Sequence, residues 1–556
     1  MKRDILSSSI KHASFNIVFQ IFFRCITFLM NAFVIRYINQ DVIGVTNVRL
    51  LLLESTILFI SREAFRRACL SKSLQHNWQQ VTNLIWITVP LSIFLSIVLG
   101  YLWLYVLKQP SHEITQHYSV GVYAICASCV IEMFCEPLYL TAQVFLFLKL
   151  KIILDTIHVV VRTVTFTLLV IYIRNGAVIA FSVAQVLSVL VYTTGYYVYF
   201  WRYLKRHATV RKKGHGRHGD STREKAEEAG KEKESFPIRS MADFFPRKCE
   251  NNAFISYQMT VLTWSFFKQG IMKQILTEGE RYIMTLFSVL SFYEQGVYDI
   301  VNNLGSLAAR FIFRPIEEAA YFYFSQTVER EVPMKDQKKE DVDESAMVLK
   351  QLLSGLMSLG LVVVIFGQSY SKLLLLLYGG EKLTMYPGPL LMQTHCVSIL
   401  LLAINGITEC YAMATMTAIQ IDRYNYFMIL LSFAFLLISW GLTKLLGGVG
   451  FVLANCCNMT ARIVHNSTFI HRRFSGTSYS PLKGLMPGLH FSAALVAAGM
   501  LVKFSEVYLF DSSKFIHFMI GVISFLFILS VWAYESRVLV VSALNKLKHL
   551  MKKKKR

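Results

Sequence analysis

Runs of about twenty apolar residues recur along nearly the whole chain, the length that a helix needs to cross a hydrocarbon core about 30 Å thick. The chain has 556 residues, of which 54% are hydrophobic and only 17% are charged. It contains no polar block large enough for a second folded domain. The pattern therefore predicts an all-α polytopic membrane protein.

The apolar runs divide into two groups of six and a final pair. We predict about fourteen transmembrane helices, near residues 13–36, 43–61, 81–107, 119–141, 152–174, 177–201, 259–289, 295–325, 346–368, 389–413, 424–443, 447–470, 489–510 and 515–534. The repeat of six suggests two pseudo-symmetric six-helix lobes around a central cavity, with a binding site near the membrane midplane. The predicted divisions are an N-lobe (1–201), a linker (202–258), a C-lobe (259–470), a C-terminal helix pair (471–534) and a basic tail (535–556).

The linker at 202–258 includes a stretch with almost no apolar residues, and we expect it to be disordered in the cytosol. The net charge of +22 could suggest a nucleic-acid partner. However, the basic residues lie between and after the hydrophobic segments, where membrane topology explains them. We therefore expect no nucleic-acid partner.

Lysine and arginine are distributed unevenly between alternate loops. If the N-terminus is cytosolic, the basic residues of 62–72, 149–151, 335–339 and 472–483 lie on the same side as the linker and the tail. This bias places both termini in the cytosol. The tail ends in Lys552 to Arg556, which resembles the dilysine retrieval signal of endoplasmic-reticulum membrane proteins and also suits a simple positive-inside anchor.

Two predicted helices between Leu262 and Gln326 are hydrophobic overall but carry many charges. A charge at the centre of a bilayer costs about 2.5–3.5 kcal/mol on insertion scales, so such residues usually face a bundle interior or a wet cavity. Helical spacing places them on two polar stripes. The stripes are Gln269, Lys273, Thr277 and Glu280, and Asp299, Asn303, Ser306, Arg310, Arg314 and Glu317. We expect both stripes to line a cavity.

Arginines also occur in the first two predicted helices. Arg24 lies in a polar stripe that is either a cavity wall or a set of interhelical hydrogen bonds. Arg49 and Glu54 could pair with each other or with Arg24. Arg62, Arg66 and Arg67 follow at the cytosolic end of the second helix. Their planar donors suit phosphate oxygens, and snorkelling toward lipid head groups is the alternative.

Acids within the predicted membrane segments include Glu132, Glu136 and Glu409. They are either protonation sites or structural partners of the arginines, and the excess of cations favours the second role. Pro137 and Pro315 should bend or interrupt their helices.

The sequence shows no GxxxxGK[ST] loop, no metal-ligand cluster and no nucleophile with an evident base, so we expect no enzyme activity, cofactor or metal. A cationic cavity inside a bundle suits an anionic amphiphile whose lipid tail stays in the bilayer. The candidate binding residues are Arg24, Arg49, Arg62, Arg66, Arg67, Lys268, Lys273, Glu278, Glu280, Arg281, Asp299, Arg310, Arg314 and Glu317.

The chain contains several long motifs, among them EAFRRACLS (63–71), KQILTEGERY (273–282), QGVYDIVNNLGSL (295–307) and RPIEE (314–318). These motifs resemble those of the eukaryotic RFT family of oligosaccharide-lipid translocation proteins. The resemblance implies the fold of the multidrug/oligosaccharidyl-lipid/polysaccharide exporter superfamily and a place in the endoplasmic-reticulum membrane. It also implies a role in protein N-glycosylation, at the passage of the dolichol-diphosphate heptasaccharide (five mannoses on two N-acetylglucosamines) to the lumenal leaflet.

The resemblance leaves open whether such a protein is itself the flippase or supports the pathway in another way. Besides the oligosaccharide lipid, membrane lipids and other N-glycosylation proteins are the expected partners. A non-transporting membrane organiser would place its essential residues on cytosolic loops or outer helix faces. An ion-coupled exporter of small organic molecules would need an acidic site, which the excess of cations disfavours. The short lumenal loops disfavour a dolichol-dependent glycosyltransferase.

Overall fold

The computed structural model describes residues 26, 28–70, 77–110, 112–145, 147–173, 176–214, 237–249 and 253–537. Throughout these ranges the regular secondary structure is helical, which confirms the predicted all-α class. The contacts divide the chain into two compact units, Met1–Gly296 and Val297–Arg556.

The first unit contains nine described helices and the beginning of a tenth. They are α1 (Phe28–Tyr37), α2 (Gln40–Leu70), α3 (Trp78–Val106), α4 (His112–Met133), α5 (Glu136–Val144), α6 (Leu148–Tyr172), α7 (Ala177–Gly214), α8 (Tyr257–Thr277), α9 (Gly279–Leu286) and α10 (Phe292–Ala308). Helix α2 includes a π-helical segment, Gly44–Leu50. Its Leu52, Leu53 and Ile57 are fully buried in an apolar core shared with α3, α4 and α7.

The second unit is built around one central helix. Its helices are α11 (Arg314–Thr327), α12 (Lys339–Gly379), α13 (Gly388–Thr415), α14 (Ala418–Leu446), α15 (Gly448–Phe474), α16 (Leu489–Leu509) and α17 (Lys514–Glu535). Ala403, Ile407 and Tyr411 of α13 are fully buried and pack with residues of α11, α12 and α15. Helix α13 therefore forms the core against which its neighbours pack.

Nine helices in the described ranges are long and apolar enough to cross a membrane, or ten if α4 and α5, bent by 48°, count as one span. These observations indicate a membrane protein. Helices α8 to α11 are not among them, as expected from their many charges. Of the two polar spans, predicted at 259–289 and 295–325, the first breaks at Glu278. The second stays helical, with a π-helical segment, Ala309–Phe313, before α11.

Of the two prolines that were predicted to bend or interrupt helices, Pro137 follows a break with a bend of 48°, whereas the helix continues through Pro315. Pro137 lies in the first turn of α5, directly after the break that separates it from α4. Pro315 lies in the first turn of α11, directly after the π-helical segment. The first turn tolerates proline because its backbone N–H groups have no partner within the helix.

Part of the predicted disordered linker is ordered, which corrects the sequence-based expectation. Helix α7 continues to Gly214, and residues 237–249 and 253–256, called the strap below, pack against the first unit. Ile238 and Phe244 of the strap are buried beside aromatic residues of α7. Residues 215–236, which hold half of the charged residues of the linker, lie outside the described ranges.

Asn83, a buried polar residue of α3, bonds two parts of the strap. The Nδ2 of Asn83 donates to the carbonyl oxygens of Arg247 at 2.8 Å and Phe254 at 2.9 Å, and its Oδ1 accepts from the N–H of Arg247 at 3.0 Å. Asn83 is buried, so these bonds replace the ones that water would make. The strap is thus ordered by a few buried side chains within a stretch whose average composition is polar.

Two glycines allow the beginnings of α2 and α10 to pack closely within the first unit. A Cβ on Gly44 would overlap the carbonyl group of Phe292, and a Cβ on Gly296 would overlap the carbonyl oxygen of Gln40. Small residues permit such backbone contact between membrane helices. Any larger side chain must push the two helices apart.

We expect Gly296→Ala to destabilise the protein by about 1–3 kcal/mol, because the added methyl group has no space. Gly355→Ala in α12 is the matched control, since no neighbouring side chain or helix lies within 4 Å of the place that the added methyl group would take. The control should be neutral or slightly stabilising, as alanine is the better helix former. Thermal unfolding of the purified protein in detergent checks both, and equal melting temperatures would contradict the close crossing.

Candidate functional site

A buried ion network occupies the centre of the first unit. Arg66 of α2 binds Glu136 with two bonds, from Nε at 2.7 Å and from Nη2 at 2.6 Å. Arg62, one turn earlier, donates to Glu136 at 3.3 Å and also to Glu132. The break between α4 and α5 places these two acids on either side of the bend. The structure therefore confirms the prediction that Glu132 and Glu136 are structural partners of arginines.

The network extends through aromatic and amide groups. The guanidinium of Arg66 lies 3.8 Å from the centre of the Tyr139 ring, in cation–π contact. Gln185 of α7 donates to Glu54 at 2.7 Å and accepts from Arg162 at 3.3 Å. The amide thus links an acid and a cation that do not pair directly. Because these groups are buried, each ion relies on its protein partners in place of water.

Arg49 is 1% exposed and contacts several chain segments of the first unit. Its Nη1 donates to the carbonyl oxygen of Lys108, and its Nη2 donates to that of Thr285 at 3.5 Å. Its guanidinium lies 4.9 Å from the centre of the Phe292 ring. Arg49 therefore does not pair with Glu54, one of the pairings that the sequence left open. It ties α2 to the residues after α3, to α9 and to the beginning of α10.

Three other predicted site cations form local pairs with acids on the same helix or the adjacent turn. Arg67 binds Glu63 at 2.8 Å. Arg281 binds Glu278 at 3.2 Å and Arg314 binds Glu318 at 3.0 Å. The Arg314 and Glu318 side chains are 75% and 69% exposed. Exposed pairs of this kind contribute about 0–1 kcal/mol, so a ligand can displace them at little cost.

Lys268 and Lys273 are both exposed on α8. The opposite side of this helix packs on α2, where Phe59 lies against Gly270 and Gln274 donates to Ser55 at 3.4 Å. The two lysines point about 140° apart around the helix. They therefore belong to different faces, and Lys273 is the one that shares the predicted stripe.

The remaining candidates lie in varied surroundings. Asp299 is buried in α10 and accepts from Asn303 at 3.0 Å. Glu317 is half-buried, and its carboxylate occupies the space beside Gly406 of α13 where a Cβ would lie. Glu280 is half-buried in the first turn of α9. Arg24 and the side chain of Arg310 lie outside the part of the chain that the structure describes.

The second unit contains an ion pair between α13 and α15, of which the sequence analysis named only the acid. Glu409 of α13 binds Arg462 of α15 and accepts from Asn405 at 3.2 Å. The structural role predicted for Glu409 is thus confirmed. Arg462 lies seven residues after Asn455 and four before Asn466, and this polar stripe in α15 was the signal that could have revealed it.

The surroundings of the described side chains indicate which of them can bind a ligand. In the described ranges, no three His, Cys, Asp or Glu residues come together in a way that could hold a metal ion. Among the predicted site cations that the structure describes, Lys268, Lys273 and Arg314 are exposed. Arg67 and Arg281 are partly exposed. These residues, unlike the buried arginines, can exchange their present surroundings for an anionic ligand.

The fold is that of a known class of membrane transporters. It is similar to an inward-facing transporter of the multidrug resistance MATE family of the MOP superfamily (TM-score 0.54, 11% identity, covering 81% of this chain and 96% of that one). It is also similar to the lipid II flippase MurJ (TM-score 0.51, 13% identity, covering 90% of this chain and 98% of that one). At these identities the similarity shows the fold alone.

The family is shown by sequence. Residues 8–546 match the family described as Rft-1: Rft protein, and the chain belongs to this family. Two relatives, each named Man(5)GlcNAc(2)-PP-dolichol translocation protein RFT1, illustrate the similarity. The Xenopus tropicalis protein is 43% identical over 91% of this chain and 90% of its own length. The Drosophila melanogaster protein is 42% identical over 97% of this chain and 98% of its own length. The resemblance seen in the sequence motifs is thereby confirmed.

Proposed function

We propose that this protein translocates, or assists in translocating, the Man5GlcNAc2 diphosphodolichol intermediate from the cytosolic to the lumenal leaflet of the endoplasmic reticulum. The observation that carries the proposal is the 42% identity over 97% of the chain to a relative named for this translocation. The shared fold with MOP transporters supports it. The protein would act as a transporter in N-glycosylation and not as an enzyme.

The finer architecture belongs to the same proposal. We infer about fourteen spans, two six-helix lobes around a central cavity, a C-terminal helix pair and both termini in the cytosol. In this arrangement the diphosphate of the substrate contacts candidate cations of the polar stripes while dolichol stays in the lipid. The lobes then rock to expose the cavity to the other side, as alternating access requires.

The contacts within each unit indicate which cations can serve this step. Arg62 and Arg66 already bind Glu132 and Glu136, so phosphate would have to displace buried acids. Arg281 and Arg314 each have a local acidic partner, Glu278 (19% exposed) and Glu318 (69% exposed), which a diphosphate with its stronger charge can replace. Lys273 is exposed on the predicted stripe. We therefore propose Lys273 and Arg281 in the first unit, and Arg310 and Arg314 in the second, as separate candidates for contact with the diphosphate.

Reconstitution tests the proposal. The purified protein is placed in liposomes that contain the dolichol-diphosphate heptasaccharide, and lectin access to the inner-leaflet pool is followed over time. Lys273→Ala and Arg310→Ala should each slow transport by about tenfold or more, since a hydrogen bond to a charged group contributes about 1.5–3 kcal/mol. Lys444→Ala is the control, because Lys444 packs on Trp440 of its own helix and should transport within twofold of the wild type.

The result with the wild-type protein decides whether this protein itself translocates the oligosaccharide lipid. If folded protein moves no oligosaccharide lipid, direct translocation is contradicted. The non-transporting organiser then becomes the better explanation, with the polar stripes binding the lipid without moving it. Normal transport by Lys273→Ala and Arg310→Ala would instead keep translocation and contradict the assigned cations.

A further inference from the structure

The strap has an apolar inner side and a basic, aromatic outer side. Ile238 and Phe244 point inward and are buried, at 2% and 1% exposure. On the outer side, Phe245 and Phe254 are 42% and 49% exposed. Arg239, Arg247 and Lys248 are exposed next to them. Large exposed aromatic rings among cations mark a surface that contacts something other than bulk water.

The strap is held rigidly, so its outer surface is preorganised. Besides the Asn83 bonds, Trp86 Nε1 donates to the carbonyl oxygen of Phe244 at 2.7 Å. Asp243 accepts from the N–H groups of Arg239 and Ser240, both at 2.8 Å. Burial alone would raise the pKa of Asp243, but these bonds and the nearby Arg247 outweigh it and lower the pKa below its ordinary value. The turn that carries the cations therefore keeps its shape and its charge near neutral pH.

The strap lies at an end of the first unit that is rich in aromatic residues. Ring pairs include Phe200 and Phe244 at 5.3 Å, and Trp86 and Phe245 at 5.4 Å. Other aromatic residues at this end are Trp78, Phe145, Phe147, Tyr199, Trp201 and Tyr203. Tryptophan and tyrosine concentrate where a membrane protein meets the head groups. These aromatic residues therefore place the strap at the membrane–water interface.

Charge at this end is strongly one-sided. Exposed basic residues lie on the strap itself and at the neighbouring ends of α6 and α7. Those on the strap are Arg239, Arg247 and Lys248, and those on the helices are Lys149, Arg202, Lys205 and Arg206. Within the described part of the strap the acid is Asp243, which is bonded to Arg247 at 3.0 Å and to two backbone N–H groups. Basic groups next to a membrane attract anionic lipids, with each one contributing about a fivefold gain in binding.

We propose that the strap binds the head groups of anionic phospholipids in the cytosolic leaflet. Arg239, Arg247 and Lys248 contact the phosphate and carboxylate groups, and Phe245 and Phe254 enter the interfacial layer. The connection between α7 and α8 is thereby fixed to the membrane surface. Lipid retention is measured without transport, so its outcome is independent of the proposed translocation.

Native mass spectrometry of the full-length protein tests this surface. The purified chain is equilibrated with equal amounts of phosphatidylserine and phosphatidylcholine in detergent, and the lipids retained are counted. The variant R239Q/R247Q/K248Q should retain at least about fivefold less phosphatidylserine, with phosphatidylcholine unchanged. The control K335Q/K338Q/K339Q removes the same charge from another exposed basic segment and should stay within twofold of the wild type.

A second variant separates the position of the strap from its charge. Asn83→Ala removes three of the bonds that dock the strap and changes none of its charged residues. It should also lower phosphatidylserine retention, because the cations are no longer held together. Wild-type retention by the triple variant would overturn the proposal. An equal loss of both phospholipids, or displacement of phosphatidylserine by the dolichol-diphosphate oligosaccharide at the same residues, would overturn it as well.

Discussion

The Glu136→Gln variant is expected to lose about 3–5 kcal/mol of stability, because it removes a buried carboxylate that two partly buried arginines share. Glu136 is fully buried and accepts from Arg66 through two bonds and from Arg62 through a third. Glutamine has nearly the same shape but carries no charge, so the change isolates the electrostatic contribution. Thermal unfolding in detergent and the yield of monodisperse protein measure the loss.

Two further variants show whether the loss comes from the ion network. Arg66→Gln combined with Glu136→Gln restores the balance of charge, so the double variant should be more stable than the sum of the single losses predicts. Glu63→Gln is the matched control, because its pair with Arg67 is partly exposed and should contribute less than about 1 kcal/mol. Normal stability of Glu136→Gln combined with lost transport would contradict the structural role and indicate a protonation site.

The membrane helices could be predicted from sequence because their signal is local. Apolar runs long enough to cross a bilayer gave the class of the protein and most of the helices. Pro137 predicted the break before α5, since a proline cannot continue the hydrogen bonding of a helix. The excess of cations over acids also gave the structural role of Glu132 and Glu136. Each of these inferences needs only the residues of one segment or a count of charge.

The partners of individual charges could not be predicted in the same way. Helical spacing places Arg62 and Arg66 on one face of α2, but it does not say which neighbouring helix faces them. Gln185 joins Glu54 to Arg162 only because α7 packs there. The strap escaped notice for a related reason. Asn83 orders a polar stretch that lies more than 150 residues away in sequence.

The Arg49→Leu variant is expected to cost several kcal/mol, since each hydrogen bond to a charged group contributes about 1.5–3 kcal/mol. The carbonyl oxygens of Lys108 and Thr285 would lose their donors, and Phe292 would lose its cation–π contact. Arg49→Lys keeps the charge but not the fork of two donors, so it should recover only part of the stability. Melting temperatures of both variants and the wild type in detergent test this order of stability.

Transport by Arg49→Lys then separates the structural role of this residue from the substrate-binding role that the sequence predicted. The guanidinium already contacts two carbonyl oxygens and a ring, and its side chain is buried. If it serves only to hold α9 and the beginning of α10 against α2, each folded molecule of the variant should transport the oligosaccharide lipid within threefold of the wild type. If it binds the diphosphate, transport per folded molecule should fall by about tenfold or more, because a lysine cannot replace the bidentate contact. Per-molecule transport, and not total activity, is therefore the quantity that assigns Arg49.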